Sequence, residues 1–566
     1  MRIERHHIDE SVVAKTVDDF TNGIGRQVRS MSKAGPIHGF EWGMLAEEFL
    51  DYLGALSAAP CGLHTAEAKI VLRDACEAAA GKVAFAAYYP VASFQVFLTY
   101  VNFGMSYDRG DSGETETISA HDWIDAFCLA VLTDQVSDHG EAFHFARAQV
   151  RQDAGDPAVE LIAGLMAYVI GDTGANDEET SYPPTRAEKL AALDAALARV
   201  RPDEASRGRS RRGALRGLRA LAAGDQDAFA VELADLLTAH CTAVASSNTP
   251  AHLLPLVPLA LAALAYRREG WQVPVESGYL PHALVTGWET AGPRVGAYGR
   301  DRRADAVAQL ASGPVEFARP EGTWSPLLDK TVAHFEQETE ELLDPNREKP
   351  ARAADWSEAM DDQQHLFRFR SAAAPDVTDE ALRNLALASQ FGAAAFRAVR
   401  DDGTWDSYDT GASRWHMALD FALITGNRDD LAPLVLTDTA LLGDEGPFAW
   451  YCRALHSYFR GTDPEPAIER ALAEQVRYGP STVLWPPVRL LSQLVEGDEE
   501  SFNLALLDAL EAHRDHYSVA DRASDVDSAL NLDILALTCH ARRRGWSIHV
   551  STPYLPPRLL ASAKPL

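Results

Sequence analysis

Cysteine is scarce in this 566-residue chain: six residues, Cys61, Cys76, Cys128, Cys241, Cys452 and Cys539, with no two in a CxxC pair. That scatter excludes a disulfide framework and a cysteine-based zinc site, and the thiols read as small core residues. Basic residues are also in deficit, 52 against 82 acidic, for a net charge of −30. A surface this acidic repels phosphate backbones and anionic lipid, so nucleic-acid and membrane binding lose their usual driving force, whereas a basic partner is attracted. Long apolar runs are missing too. The longest, Leu253–Tyr266, reads as too short and too proline-broken to span a bilayer, and the opening MRIERHHIDESV has no segment of signal-peptide type, so the expected location is cytoplasmic. Strand patterns are nearly absent, with WQVPV and WSIHV the only short candidates. No GxSxG, HExxH, Walker-type phosphate loop or strand-linked GxGxxG is present.

What is there is said twice. KTVDDF at Lys15–Phe20 returns as KTVAHF at Lys330–Phe335, and HDWIDAFCLAVLT around Trp123 returns as SRWHMALDFALIT around Trp415. GLMAYVIGD, ending at Asp172, returns as ALHSYFRGT, ending at Thr462; GDQDAF at Gly224 returns as GDEESF at Gly497; RREGWQVPVESGYLP returns as RRRGWSIHVSTPYLP. The offsets run 315, 292, 290, 273 and 275 residues in unbroken order, as two copies drifting apart by loop insertions and deletions would give. The chain therefore divides into module 1 (1–290), a Gly-, Pro- and Arg-rich connector with one short helix (291–322), and module 2 (323–566), a repeat of the first.

Helical periodicity dominates both copies. AEAKIVLRDACEAAAGKVAFAAYY, HDWIDAFCLAVLTD, AEKLAALDAALARV, DAFAVELADLLTAHC and SFNLALLDALEAHR place apolar residues at i, i+3, i+4 and i+7. Starts are marked by Ser119 or His121, by a Thr185-Arg-Ala-Glu188 capping box, and by the Gly-Asp pairs before Phe229 and Phe502. The fold class is all-α, two homologous modules of helical hairpins or bundles in tandem. Tetratricopeptide-like stacking is an architectural analogy, since no 34-residue period appears inside a module. The recurring aromatics Trp123/Trp415, Tyr168/Tyr458, Phe229/Phe502, Trp271/Trp546 and Tyr279/Tyr554 read as packing residues, and the arginine-rich stretch Arg199–Arg219 as a solvated, partly helical insert.

The W-x-x-A-x-x-x-A helix (Trp123, Ala126, Ala130; Trp415, Ala418, Ala422), the Gly-Asp-x-x-x-Phe turn (Gly224–Phe229; Gly497–Phe502), the apolar helix ending in Gly-Trp, and the closing Tyr-Leu-Pro (Tyr279–Pro281; Tyr554–Pro556) together resemble the immunity protein 49 family. Members are the expected antidotes of bacterial polymorphic toxin systems, and this chain resembles a tandem form. The resemblance implies an all-α protein that binds and neutralises a cognate toxin, of nuclease type by expectation. It brings no catalytic residue and no cofactor.

The residues themselves point to an interaction loop upstream of each Trp helix. In module 1 it carries Tyr107, Asp108 and Asp111; in module 2, Asp401, Asp402, Trp405, Asp406, Tyr408 and Asp409. Aromatics beside carboxylates are the composition of a binding hot spot for a basic protein, the rings supplying buried area and the acids steering encounter; the bland alternative folds those rings back onto the helices. Two other readings stand beside the toxin inhibitor: an enzyme with a helix-lined, metal-dependent site, and a helical scaffold without a toxin. For the enzyme the places to look are Glu141-x-x-His144 and the matched His240 and His513.

Overall fold

The computed structural model describes the chain apart from residues 60–61, 111–115, 152, 175–182, 202–205, 289–291, 321–323, 325–328, 375, 403–410, 444, 479–483 and 566. It divides into two compact units, Met1–Thr290 and Ala291–Leu566. The long elements are all helices, and those of the two units run in the same order. Gly39–Ser57 and Ala66–Tyr88 correspond to Ala353–Ala372 and Asp379–Asp402, the Trp helix Ala120–Thr133 to Ala412–Thr425, Gln226–Ala243 to Glu499–His516, and Leu256–Arg267 to Leu532–Arg543. Residues 291–322, read as a connector, cluster with the second unit: Arg294 forks onto Asp508 (2.7 Å) and Glu511 (2.8 Å), and the helix Ala304–Ala311 carries Ala306 and Leu310 into its core.

The helix boundaries follow from local chemistry. Ser119 caps the first Trp helix by accepting the Asp122 N–H, and Thr185 with Glu188 forms a reciprocal capping box. Gly224 and Gly497 take φ of 75° and 85°, left-handed turns that a side chain would strain, and the aspartate after each then caps the following helix. The small residues of the Trp helix are set by close approach: a Cβ on Gly392 would stand 2.6 Å from the Ala418 methyl, so neither position has room for more.

The repeated aromatics make the same contacts in both units. Trp123 Nε1 donates to the Phe143 carbonyl (3.2 Å) and Trp415 Nε1 to that of Leu434 (2.9 Å), each tying the Trp helix to the end of the next one. Phe229 meets Trp271 edge-on at 5.8 Å, and Phe502 meets Trp546 at 5.5 Å, both at 62°. His240 packs edge-on against Tyr279 (5.1 Å) and His513 against Tyr554 (5.2 Å). The matched histidines thus brace the Tyr-Leu-Pro segment; His240 also bonds the His252 carbonyl and His513 contacts the Asn531 amide.

Strand content departs from the sequence reading in two ways. WQVPV and WSIHV are mostly irregular; two-residue strands stand at Glu276–Ser277 and Val550–Ser551 instead. Each pairs in parallel with a strand near the start of its repeat, Arg2–Ile3 and Val315–Glu316, so a clasp closes each copy and the second copy takes its first strand from the supposed connector. Unit 1 also contains a hairpin absent from the expectation, Phe94–Leu98 paired antiparallel with Phe103–Tyr107. Its period-2 alternation, FQVFL and FGMSY, is too short to stand out against the helical signal.

The stretch Pro250–Arg267 has the length and hydropathy of a membrane span by composition alone, but 67% of it is buried inside the protein, where Leu259, Ala262, Ala263 and Ala265 are core residues. The arginine-rich segment forms the helix Ser206–Ala223. Leu215, Leu218 and Leu221 are buried, while Arg216 pairs with Glu232 and Arg219 with Asp194, each at 2.5 Å. Of the cysteines described, Cys76, Cys128, Cys452 and Cys539 are buried free thiols and Cys241 is half-buried.

Candidate functional site

Tyr107 lies outside any exposed loop. It ends the hairpin, is buried, and its hydroxyl accepts from Trp42 Nε1 (2.8 Å) and donates to the Ile37 carbonyl. Burial raises its hydroxyl pKa to about 12, so it remains a neutral donor. The alternation of the strand explains the correction: with Phe103 and Met105 on the same face, Tyr107 turns inward. Asp108, the next residue, is exposed. Asp401 is exposed at the end of helix Asp379–Asp402, and Asp402 is that helix's last residue. Asp111, Trp405, Asp406, Tyr408 and Asp409 lie outside the described residues.

Around the hairpin the structure brings together what the sequence keeps apart. Phe85, Phe94 and Tyr107 pack with ring centroids 4.7–5.1 Å apart, and Tyr88 links Phe94 (6.1 Å) to Phe145 (6.4 Å). Large apolar side chains on the neighbouring elements are exposed. Phe40 is 69% exposed, Val91 62%, Phe145 48% and Met44 42%. Phe40 and Met44 lie one turn apart on helix Gly39–Ser57, whose first residue abuts Phe85 and Glu116. A groove of about 480 Å³ runs beside the hairpin, lined by Pro36, His38, Tyr89, Met105, Tyr107 and Asp108 among others. Acids border it: Glu116 stands 3.7 Å from His38, and Glu41 caps its own helix. Exposed apolar side chains on elements that also build an aromatic cluster, with carboxylates nearby, suit burial of a partner's apolar side chains next to its cations.

The matched His240 and His513, singled out from sequence, pack against Tyr279 and Tyr554, one in each unit. Glu141 and His144 are exposed on helix Val136–Ala146, and His144 pairs with Asp172 at 2.9 Å. His139 faces Glu77 at 3.5 Å.

A different polar cluster has no counterpart among the sequence-predicted residues. In the core of unit 2, His416 Nε2 lies against Asp533 Oδ1 and 3.7 Å from Asp420 Oδ2, and the Tyr451 hydroxyl is 3.4 Å from Asp533 Oδ1. Arg368 comes from helix Ala353–Ala372 and pairs with Asp527. Burial opposes a charge on His416, but Asp420 and Asp533 outweigh it and lift its pKa to about 9; burial pushes the Asp420 carboxyl well above its ordinary range. The signal was in the repeat itself. Counting from the matched Trp residues, His416 and Asp420 occupy the places of Ile124 and Cys128, so polar groups stand in one copy where the other is apolar.

No curated protein and no solved structure matches the chain. The family described as immunity protein 49 matches twice, over residues 64–284 and again over 371–559, one match within each compact unit. Two matches that together span most of the sequence, laid over two units with the same helix order and the same aromatic contacts, establish that the chain belongs to the immunity protein 49 family.

Proposed function

We propose that this protein neutralises a cognate toxin by occluding it, and that the hairpin face of unit 1 is part of the occluding surface. The observation that carries this reading is the family match over both units, which supports an immunity-type role. The net charge of −30 supports a basic partner and argues against nucleic acid or an anionic membrane as the ligand; the family resemblance makes a nuclease-type toxin the expected class. The exposed Phe40, Met44, Val91 and Phe145 are taken together as the apolar strip such an interface needs. The module 2 loop carrying Trp405, Asp406, Tyr408 and Asp409 is proposed as a second contact, with Asp401 and Asp402 at its entrance.

The test is capture of the partner from the native host, followed by competition. A toxin that binds the parent chain and loses affinity at least tenfold to a Phe40→Ser/Phe145→Ser variant of unchanged thermal stability supports the assignment. Capture of a protein whose binding ignores both substitutions moves the interface elsewhere. The catalytic reading has one observation on its side, the His416 cluster. His416 and Asp420 are buried and Tyr451 fully so, which leaves only Asp533 partly open and gives a substrate no approach.

A further inference from the structure

We propose that His416, Asp420 and Asp533 bind one divalent transition-metal ion, zinc foremost, which ties the Trp helix of unit 2 to helix Leu532–Arg543. The three donor atoms lie within 4.8 Å of one another, close enough to share one ion. His416 and Asp420 sit at i and i+4, one above the other on a single helix face, and Asp533 enters from the facing helix. One imidazole nitrogen with two carboxylates is a zinc donor set, and among the divalent ions that suit imidazole zinc ranks high in affinity. The adjacent Tyr451 hydroxyl, or a water, completes four-coordination.

Two features of the cluster call for a cation. His416 is 92% buried by its 8% relative exposure, and its Nε2 makes no hydrogen bond of normal geometry although it points between two carboxylates. A nitrogen aimed between two carboxylates in this way is satisfied either by the proton of an imidazolium or by a metal ion. Charge gives the second. Arg368 is shared with Asp527, so Asp420 and Asp533 converge on a single imidazole; a divalent cation held by a neutral imidazole would neutralise both carboxylates where an imidazolium offsets only one. Nor does the fold require polarity here, because the first copy builds the same helix with Ile124 and Cys128, both buried. The remaining groups facing the cluster are the Tyr451 hydroxyl and the Cys452 thiol on helix Gly446–Arg460. The Asp533 side chain, 21% exposed, provides the entry route.

The experiment uses the full chain prepared without a polyhistidine tag and stripped with EDTA. Zinc(II) is titrated by calorimetry and cobalt(II) by its visible d–d absorption, for the parent, Asp533→Asn and His416→Gln. The expected result is about one equivalent bound with a tetrahedral-type cobalt spectrum, a raised melting temperature for the metal-loaded parent, and at least tenfold weaker binding in each variant. Should His416→Gln fail to fold, the partly exposed Asp533→Asn decides with the parent spectrum. A parent that binds neither ion, or variants that bind as tightly as the parent through some surface histidine, overturns the proposal.

Discussion

Replacing Arg267 by methionine should destabilise unit 1 by about 3 kcal/mol. The guanidinium donates to the carbonyls of Val131 (3.2 Å) and Leu132 (3.0 Å) at the end of the Trp helix, and to those of Leu284 (2.5 Å) and Val285 (2.9 Å) in the short helix after Tyr-Leu-Pro. Carbonyls at a helix end have no partner within the helix, so this one side chain satisfies acceptors on two elements. Methionine keeps much of the apolar stem and removes the donors. Hydrogen bonds to a charged group are worth about 1.5–3 kcal/mol each; because the arginine is only half-buried, water recovers part of the loss and the four do not add. Arg543 repeats the device in unit 2 on Leu423 and Ile424, with two acceptors, and Arg543→Met should cost about 2 kcal/mol. Urea unfolding gives the magnitudes, and hydrogen exchange read by mass spectrometry assigns them: Arg267→Met should lower protection within 120–133 and 282–286, Arg543→Met within 412–425. A cost under about 0.5 kcal/mol for both, or protection lost evenly across the chain, would refute the reasoning.

Burial depresses three histidines of unit 2, His513 to about 3, His516 to about 4 and His540 to about 4. They are neutral when folded and protonate once unfolded, so stability is full above the unfolded value near 6.5 and falls as pH drops toward the folded values, by roughly 2 kcal/mol at pH 5 for the buried His513 and by less for the half-buried His516 and His540, which solvent screens; His513→Gln should flatten that slope in pH-dependent urea titrations. Trp415→Phe removes the bond to the Leu434 carbonyl and part of the buried ring, and should lower stability by about 2–4 kcal/mol, measured by urea denaturation. Trp405→Ala should weaken toxin binding by about 2 kcal/mol with melting unchanged, whereas Asp406→Asn should act mainly on the association rate in stopped-flow measurements.

Much of the fold was legible because the repeat and the helical period report on the same residues. Trp123 and Trp415, or Phe229 with Trp271 and Phe502 with Trp546, recur at positions whose packing is shared, so matching contacts follow from recurrence, although Trp271 and Trp546 are only half-buried. The hairpin escaped because five-residue strands carry only two or three alternations, and with it went the burial of Tyr107. The exposed strip was not legible either. Phe40, Val91 and Phe145 are far apart in sequence, and an exposed ring reads like a buried one until the fold places it. The His416 cluster was within reach: lining up the two Trp helices shows His416 and Asp420 against Ile124 and Cys128, and only Asp533 requires the structure.

The proposed binding of a basic toxin through the apolar strip is tested most directly by the association rate of the purified partner, captured from the native host, with the parent and with the Phe40→Ser/Phe145→Ser variant as ionic strength rises from 0.1 M to 1 M. Fast association at low salt should slow markedly as the Debye length shrinks from about 10 Å to about 3 Å, and the variant should dissociate at least tenfold faster at every salt concentration. Association indifferent to salt, with a variant that dissociates like the parent, would contradict it.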